Sequence, residues 1–356
     1  MKKIVVAAGG TGGHLFPSIA TGEELINRGY EVHLITDLRC QKYLTKDLKL
    51  IPHIVNLKNY HNSTFAKIRF YITLLTATFQ SIKLLYLIKP SAIIGFGGYP
   101  SFPPLLASVF LRIPIIIHEQ NCFMGKVNKF FLKFAKKIAL SYRETKNRST
   151  IDAKKILITG NIIRANIKNM KIRDNFSNDI FRIFIFGGSQ GAKIFSSLIP
   201  ESIKLLVQLY PEVKLHITEQ VSKEDHAKID NIYSELKIPH QLSEFFHDMP
   251  RQYANQELVI ARAGASTISE LTYIGLPAIF IPLPSAADNH QFYNAKVLED
   301  SGAGWCFEQN KLSAIKLAEK ILLLIKNREI LKQTSRNLLK RKSDGSKILA
   351  DEVEKL

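Results

Sequence analysis

Residues 1–14 read MKKIVVAAGGTGGH, and residues 182–193 read RIFIFGGSQGAK. Each stretch starts as a short apolar run, enters a turn built on glycines and continues into a helical pattern. Runs of four or five apolar residues suit strands covered on both faces. Glycines allow positive φ and let a ligand approach the backbone closely. One such unit at the start and another halfway along predict α/β architecture with two Rossmann-like domains in tandem, not one large sheet. Working outward, strands are expected at 4–7, 32–36, 51–55, 92–95, 113–118, 137–140 and 155–158. A second set is expected at 182–186, 214–217, 240–242, 258–261, 278–281 and 304–307. Helical patterns separate most of them, as parallel βαβ units require.

The chain has 356 residues, enough for roughly two domains. The polar stretch 160–178, GNIIRANIKNMKIRDNFSN, marks the transition. The expected division is 1–162, 163–340 and a C-terminal helix over 341–356 that packs back on the N-terminal domain. Hydrophobic residues make up 46% and charged residues 22%, a globular balance that excludes disordered and collagen-like chains. Cys40, Cys122 and Cys306 are far apart and form no CxxC pair, which argues against a disulfide framework or structural zinc and favours a reducing compartment. The first apolar run is too short for a signal peptide.

Charge points to partners. Lys and Arg total 49 against 31 Asp and Glu, a net +18. That excess favours nucleic acid, a phospholipid surface or a phosphorylated substrate, although plain lysine usage on helix faces explains part of it. Residues 70–88, FYITLLTATFQSIKLLYLI, are apolar for nearly the length of a bilayer span, but Gln80, Ser81 and Lys83 interrupt them. With Lys67, Arg69 and Lys89 alongside, the stretch reads as a buried connecting helix or as an amphipathic helix lying on an anionic membrane, ahead of a true span.

The loop Gly9-Gly10-Thr11-Gly12-Gly13-His14 departs from GxGxxG, since Leu15 stands where its last glycine would be. It lacks the GK[ST] of a Walker A loop as well. Asp37 ends the second strand where a dinucleotide-binding domain places its ribose acid, so an NAD-dependent oxidoreductase stays open. The turn of residues 262–270, RAGASTISE, is a third strand-to-helix passage. Its small and hydroxyl residues offer helix N–H groups to an anion, and Glu270 stands one turn further in, placed for a ribose diol. Ser266 or Thr267 as simple caps is the plainer alternative.

Taken in order, GGTGGH (9–14), GFGGYPS (95–101), HEQN (118–121), GGSQGA (187–192), RAGASTISE (262–270) and DNHQFYNA (288–295) resemble the MurG family, the bacterial lipid I N-acetylglucosaminyltransferases. The resemblance covers nearly the whole chain. It implies a GT-B fold, two Rossmann-like domains whose parallel sheets face each other across a cleft. It also implies UDP-N-acetylglucosamine as donor, undecaprenyl-pyrophosphoryl-MurNAc-pentapeptide as acceptor and an inverted, β(1→4) product, lipid II. The work would be done peripherally at the cytoplasmic face of the inner membrane.

By the same resemblance Thr11, Gly12 and Gly13 meet the donor and Asn121 the N-acetylglucosamine. Arg164 contacts the nucleotide, Ser189 the diphosphate and the Phe246 backbone the uracil. Ala265, Ser266, Thr267, Ile268, Ser269 and Glu270 embrace phosphate and ribose, and Gln291 meets sugar hydroxyls. The chain departs from the family pattern at Ile162, Ser196, Pro100 and Phe102, and in the longer loop before Gln291.

Inverting transfer needs a base on the acceptor hydroxyl and stabilisation of the departing diphosphate. His14 is the candidate base, since an imidazole titrates near neutral pH. Glu119 serves, assists or merely holds its loop. His118 reads as a packed residue. Helix N-termini at Gly191 and Ser266 would meet the leaving charge, with Lys193 or Arg262 adding to it, so neither metal nor cofactor is expected. Tyr99 and Ser101 are candidates for the acceptor side. The rival readings are a glycolipid glycosyltransferase, a UDP-GlcNAc 2-epimerase, the oxidoreductase and a nucleic-acid binder. No RRM, KH or zinc signature supports the last, so no nucleic-acid partner is expected.

Overall fold

A computed structural model describes residues 1–44, 47–57, 64–148, 151–170, 179–188 and 192–356; the side chains of residues 42 and 64–68 lie outside it. The chain divides into one unit of residues 1–164 with 343–356 and a second of residues 165–342. Positions 171–178 of the expected transition lie outside the described residues.

The first unit runs β1 (Lys3–Ala7), α1 (Gly12–Asn27), β2 (Glu31–Asp37), β3 (Ile51–Val55), α2 (Thr64–Ile88), β4 (Ala92–Gly95), α3 (Phe102–Phe110), β5 (Ile115–Glu119), α4 (Lys126–Phe131), β6 (Lys137–Leu140) and β7 (Ile156–Ile158). Its sheet has the order β3-β2-β1-β4-β5-β6-β7, and every pairing is parallel. The side-chain period of two divides β1 between two cores. Ile4 and Val6 join Leu15 and Leu25 on one face, while Val5 and Ala7 join Ala77, Leu105 and Phe131 on the other. Such two-sided burial is why the strands read as unbroken apolar runs.

The second unit contains α5 (Ala165–Lys168), β8 (Ile180–Phe186), α6 (Phe195–Leu209), β9 (Lys214–Gln220), α7 (His226–Glu235), β10 (His240–Ser243), α8 (Met249–Tyr253), β11 (Leu258–Ala261), α9 (Ala265–Ile274), β12 (Ala278–Phe280), α10 (His290–Asp300), β13 (Trp305–Cys306), α11 (Ala314–Lys326) and α12 (Arg328–Lys340). Its sheet, also all parallel, is ordered β10-β9-β8-β11-β12-β13. Phe181, Ile183 and Ile185 pack with α6 and α11, and the Phe184 and Phe186 rings turn the other way onto Tyr253.

After α12 the chain re-enters the first unit as α13 (Gly345–Glu354). Leu349, Ala350 and Val353 complete the core that contains Ile4, Val6 and Leu15. Arg28, at the end of α1, donates to Asp351 at 2.6 Å, to Glu354 at 3.2 Å and to the Lys347 carbonyl at 3.3 Å. Ser343 Oγ accepts the Asn161 N–H at 3.0 Å, and the Gly345 N–H reaches the Asn161 carbonyl at 2.8 Å.

All thirteen expected strands are present, with shifted ends. The fifth begins at Ile115 rather than at residue 113, because Ile113 gives its N–H to the Ser108 carbonyl and Pro114 has none to give. The stretch expected to be a buried connector or a surface helix is α2. It buries Ala77, Leu85 and Ile88 against the sheet and leaves Tyr71, Ile72, Leu75, Phe79, Tyr86 and Leu87 exposed. Its portion Arg69–Ile88 is long and apolar enough to cross a membrane by length and composition.

One buried acid sits in the core of the second unit. Glu219 on β9 accepts the Tyr233 hydroxyl at 2.6 Å, and burial pushes its carboxyl up to about 8. A carboxyl whose folded pKa is raised stabilises the fold fully below its unfolded value and loses that contribution as pH rises through the folded one. Glu219→Gln should therefore flatten stability between about pH 5 and 8. Thermal unfolding at pH 8 should show the variant more stable by roughly 1–3 kcal/mol, and at pH 5 nearly equal to the parent.

Candidate active site

In each sheet the strand order reverses at one place, β1 against β4 in the first unit and β8 against β11 in the second. Loops leaving the carboxyl ends of such a strand pair diverge and open a crevice, the usual ligand position in open α/β sheets. The sequence-selected glycine turns lie at these two switch points.

In the first unit the turn after β1 crosses Gly10 at φ +88 and enters α1 at Thr11. Thr11 does not cap the helix. Its hydroxyl stands 3.1 Å from His14 Nδ1 and helps to fix the tautomer of that ring. Behind His14 runs the turn after β4. A Cβ on Gly97 would lie 3.4 Å from His14 Cδ2, and one on Gly98 would lie 3.5 Å from Nδ1 and collide with the Gly9 carbonyl oxygen. Gly98 also has φ +74, so the close approach and the left-handed backbone both require glycine there. Ser101 closes this second turn, donating its N–H and hydroxyl to the Gly98 carbonyl.

Asp37, the ribose acid of the oxidoreductase reading, is fully buried. Its oxygens accept the Gly10 N–H at 3.1 Å and Arg39 Nε at 2.6 Å, so it braces the glycine turn instead of presenting an acid to a diol. Glu119, at the end of β5, is equally enclosed. Oε1 accepts the Asn121 N–H at 3.0 Å and Asn121 Nδ2 at 3.1 Å. Oε2 accepts the Gly125 N–H at 3.0 Å and Asn128 Nδ2 at 2.8 Å. Burial raises its carboxyl above the usual range while these donors pull it back. Four N–H groups on two oxygens leave it as the centre of its loop. His118 is buried against Phe96, and burial drives its imidazole down to about 4, which keeps it neutral. Arg164 lays its guanidinium 4.8 Å over the Phe16 ring on α1.

In the second unit the turn after β8 is described through Gly188, whose φ is +79; Ser189, with residues 190–191, lies outside the described residues. Gln220 anchors that turn, accepting the Gly187 N–H at 3.2 Å and donating to the Glu244 carbonyl at 3.1 Å. The turn after β11 enters α9 at Ala265 through an uncapped Gly264, so the first N–H groups of the helix point outward beside the Ser266 and Thr267 side chains. Ser266 Oγ is buried without a hydrogen-bond partner among the described residues. Glu270 is buried and accepts the Tyr253 hydroxyl at 3.1 Å. The Ile268 side chain lies wholly in the core, and Ser269 bonds back to the Ala265 carbonyl at 2.6 Å. Phe246 buries its ring edge-on to Phe184, leaving its backbone as the part able to meet a base. Gln291 spends Oε1 on the Leu283 N–H at 3.0 Å, so its amide nitrogen is the group suited to a sugar hydroxyl.

Three residues were passed over in the sequence. Asn128 ties Glu119 to the His118 carbonyl, Asn294 ties α10 to the Ala263 carbonyl at 3.2 Å, and Gln220 holds the β8 turn. Asn294 lies inside DNHQFYNA and was legible there, while the other two stand outside every motif. Arg262, a candidate for the leaving charge, is instead spent on the Ile281 and Pro282 carbonyls and on Gln309. Among the described residues no three His, Cys, Asp or Glu side chains gather as a metal site would need.

Residues 4–140 match the glycosyltransferase family 28 N-terminal domain and residues 182–349 the glycosyltransferase family 28 C-terminal domain. The chain is 58% identical, over the full length of both, to the UDP-N-acetylglucosamine–N-acetylmuramyl-(pentapeptide) pyrophosphoryl-undecaprenol N-acetylglucosamine transferase of Rickettsia bellii. It also matches the crystal structure of Acinetobacter baumannii MurG at TM-score 0.81 and 28% identity, covering all of both chains. The chain belongs to the MurG family of glycosyltransferases. A UDP-GlcNAc 2-epimerase from Neisseria meningitidis, with TM-score 0.68 and 16% identity over 99% of this chain and all of the other, shares only the fold.

The MurG-family loops of the first unit yield one expectation. Gly98→Ala forces a Cβ onto the Gly9 carbonyl and strains a positive φ. Thermal melts should show a loss of about 1–3 kcal/mol, with catalytic turnover falling further than stability because His14 rests on the same turn. Unchanged turnover would separate that turn from the chemistry.

Proposed function

We propose that the protein transfers N-acetylglucosamine from UDP-N-acetylglucosamine to the MurNAc C4 hydroxyl of undecaprenyl-pyrophosphoryl-MurNAc-pentapeptide, inverting the anomeric carbon and making lipid II. The observation that carries this is full-length, 58% identity to enzymes named for that reaction. His14 takes the proton of the C4 hydroxyl as that oxygen attacks C1 of the donor sugar. The C1–O bond to UDP breaks and its electron pair leaves with the diphosphate. The N–H groups opening α9, with Ser266, meet that departing charge. Glu270 accepts from the ribose hydroxyls, the Phe246 backbone addresses uracil and Gln291 addresses the sugar. Thr11, Gly12, Gly13, Asn121, Arg164 and Ser189 complete the donor contacts. Glu119 acts as a positioning residue that sets Asn121. No metal or cofactor enters this reading.

Radiolabelled UDP-N-acetylglucosamine with a lipid I analogue should give a disaccharide lipid. His14→Ala should lower kcat by about 10²–10⁴-fold with donor binding preserved. Product with no His14 dependence would move the base elsewhere, and absence of product with the parent protein would overturn the activity.

The exposed row of α2, together with Phe110, sets an apolar face among Arg69, Lys83, Lys89 and Arg112. Cations beside an apolar stripe favour an anionic bilayer surface, which supports peripheral attachment to the cytoplasmic face of the membrane. Phe79→Asp should sharply reduce cosedimentation with phosphatidylglycerol-containing vesicles. Turnover of a short-chain, water-soluble acceptor should stay within about twofold. Undiminished vesicle binding would remove α2 as the docking face.

A further inference from the structure

Resting on the transferase reading, we infer that Arg39 grips the diphosphate of the lipid-linked acceptor through the outer edge of its guanidinium. Arg39 follows β2 by two residues, and three contacts fix its plane. Nε donates to Asp37 Oδ2 at 2.6 Å. The Tyr99 ring lies 4.6 Å from the guanidinium carbon. One terminal nitrogen stands 3.0 Å from where a Cβ on Gly10 would be. Asp37 itself is wholly buried, with its other oxygen on the Gly10 N–H, so its charge is covered by these two donors. The Arg39 side chain is 45% exposed, so the fork is aimed but not enclosed.

A cation needed only to neutralise Asp37 would not also be stacked on the β4 turn and flush against the β1 turn. Stacking and pairing remove rotamer freedom before any ligand arrives, which is the condition under which an arginine fork binds phosphate oxygens well. A guanidinium edge held in one plane can meet oxygens of both linked phosphates. The donor's diphosphate has its own helix end at α9 in the other unit, so the acceptor's diphosphate is the one assigned to Arg39.

Arg39→Lys keeps a cation for Asp37 but loses the fork, and Arg39→Gln removes the charge as well. With UDP-N-acetylglucosamine and a short-chain lipid I analogue, the acceptor KM should rise about tenfold in the lysine variant and more in the glutamine variant. In the lysine variant, which still neutralises Asp37, the donor KM and kcat should change much less than the acceptor KM. Inorganic pyrophosphate, titrated calorimetrically into donor-free protein, should bind Arg39→Lys more weakly than the parent by a similar factor. An unchanged acceptor KM in a folded lysine variant would overturn the assignment, as would a rise confined to the donor KM. Pyrophosphate binding that depends on Arg39, in a protein that transfers no sugar, would keep the anion site and strike down the transferase reading instead.

Discussion

Two glycine turns of the first unit pass within contact of each other, and that contact leaves room for hydrogen atoms alone. Gly98 has its α-carbon against the Gly9 carbonyl, and the His14 ring stands over Gly97 and Gly98. The position of the imidazole is thus set by backbone on one side and by the Thr11 hydroxyl on the other. Asp37 reinforces the arrangement from below by holding the Gly10 N–H. A site assembled from backbone rather than long side chains loses little entropy when it binds, because its geometry is already fixed by the ends of β1 and β4.

Two buried glutamates show how differently one residue type can be accommodated. Glu119 is ringed by four N–H donors from its own loop and from α4. Each of its oxygens is doubly satisfied, which offsets part of the cost of burying it. Glu219 has one hydroxyl for company and is pushed to about 8, so near neutral pH it is held largely as the acid. The first organises a loop at a switch point, whereas the second fills a core.

The strands and glycine turns were legible because two-sided burial writes itself as apolar runs and positive φ writes itself as glycine. The motif residues Gly264, Ala265 and Glu270 lie on the helix entrance that their spacing suggested. The direction of individual side chains was not legible. Ile268 and the Phe246 ring point into the core, and Ser269 turns back on its own helix, since a run of consecutive helical residues cannot all face one way. The cage around Glu119 was hidden for a related reason. Its donors come from Asn121, Gly125 and Asn128, and only the path of the loop brings them together. The bracing role of Asp37 depends equally on a turn 27 residues away.

Synthesis order has a particular consequence for α13. The ribosome finishes the whole second unit before it makes Leu349, Ala350 and Val353, yet these residues belong to the core beside Ile4, Val6 and Leu15. The first unit therefore cannot complete this core until the whole of the second unit's segment has been made, so α1 waits for α13.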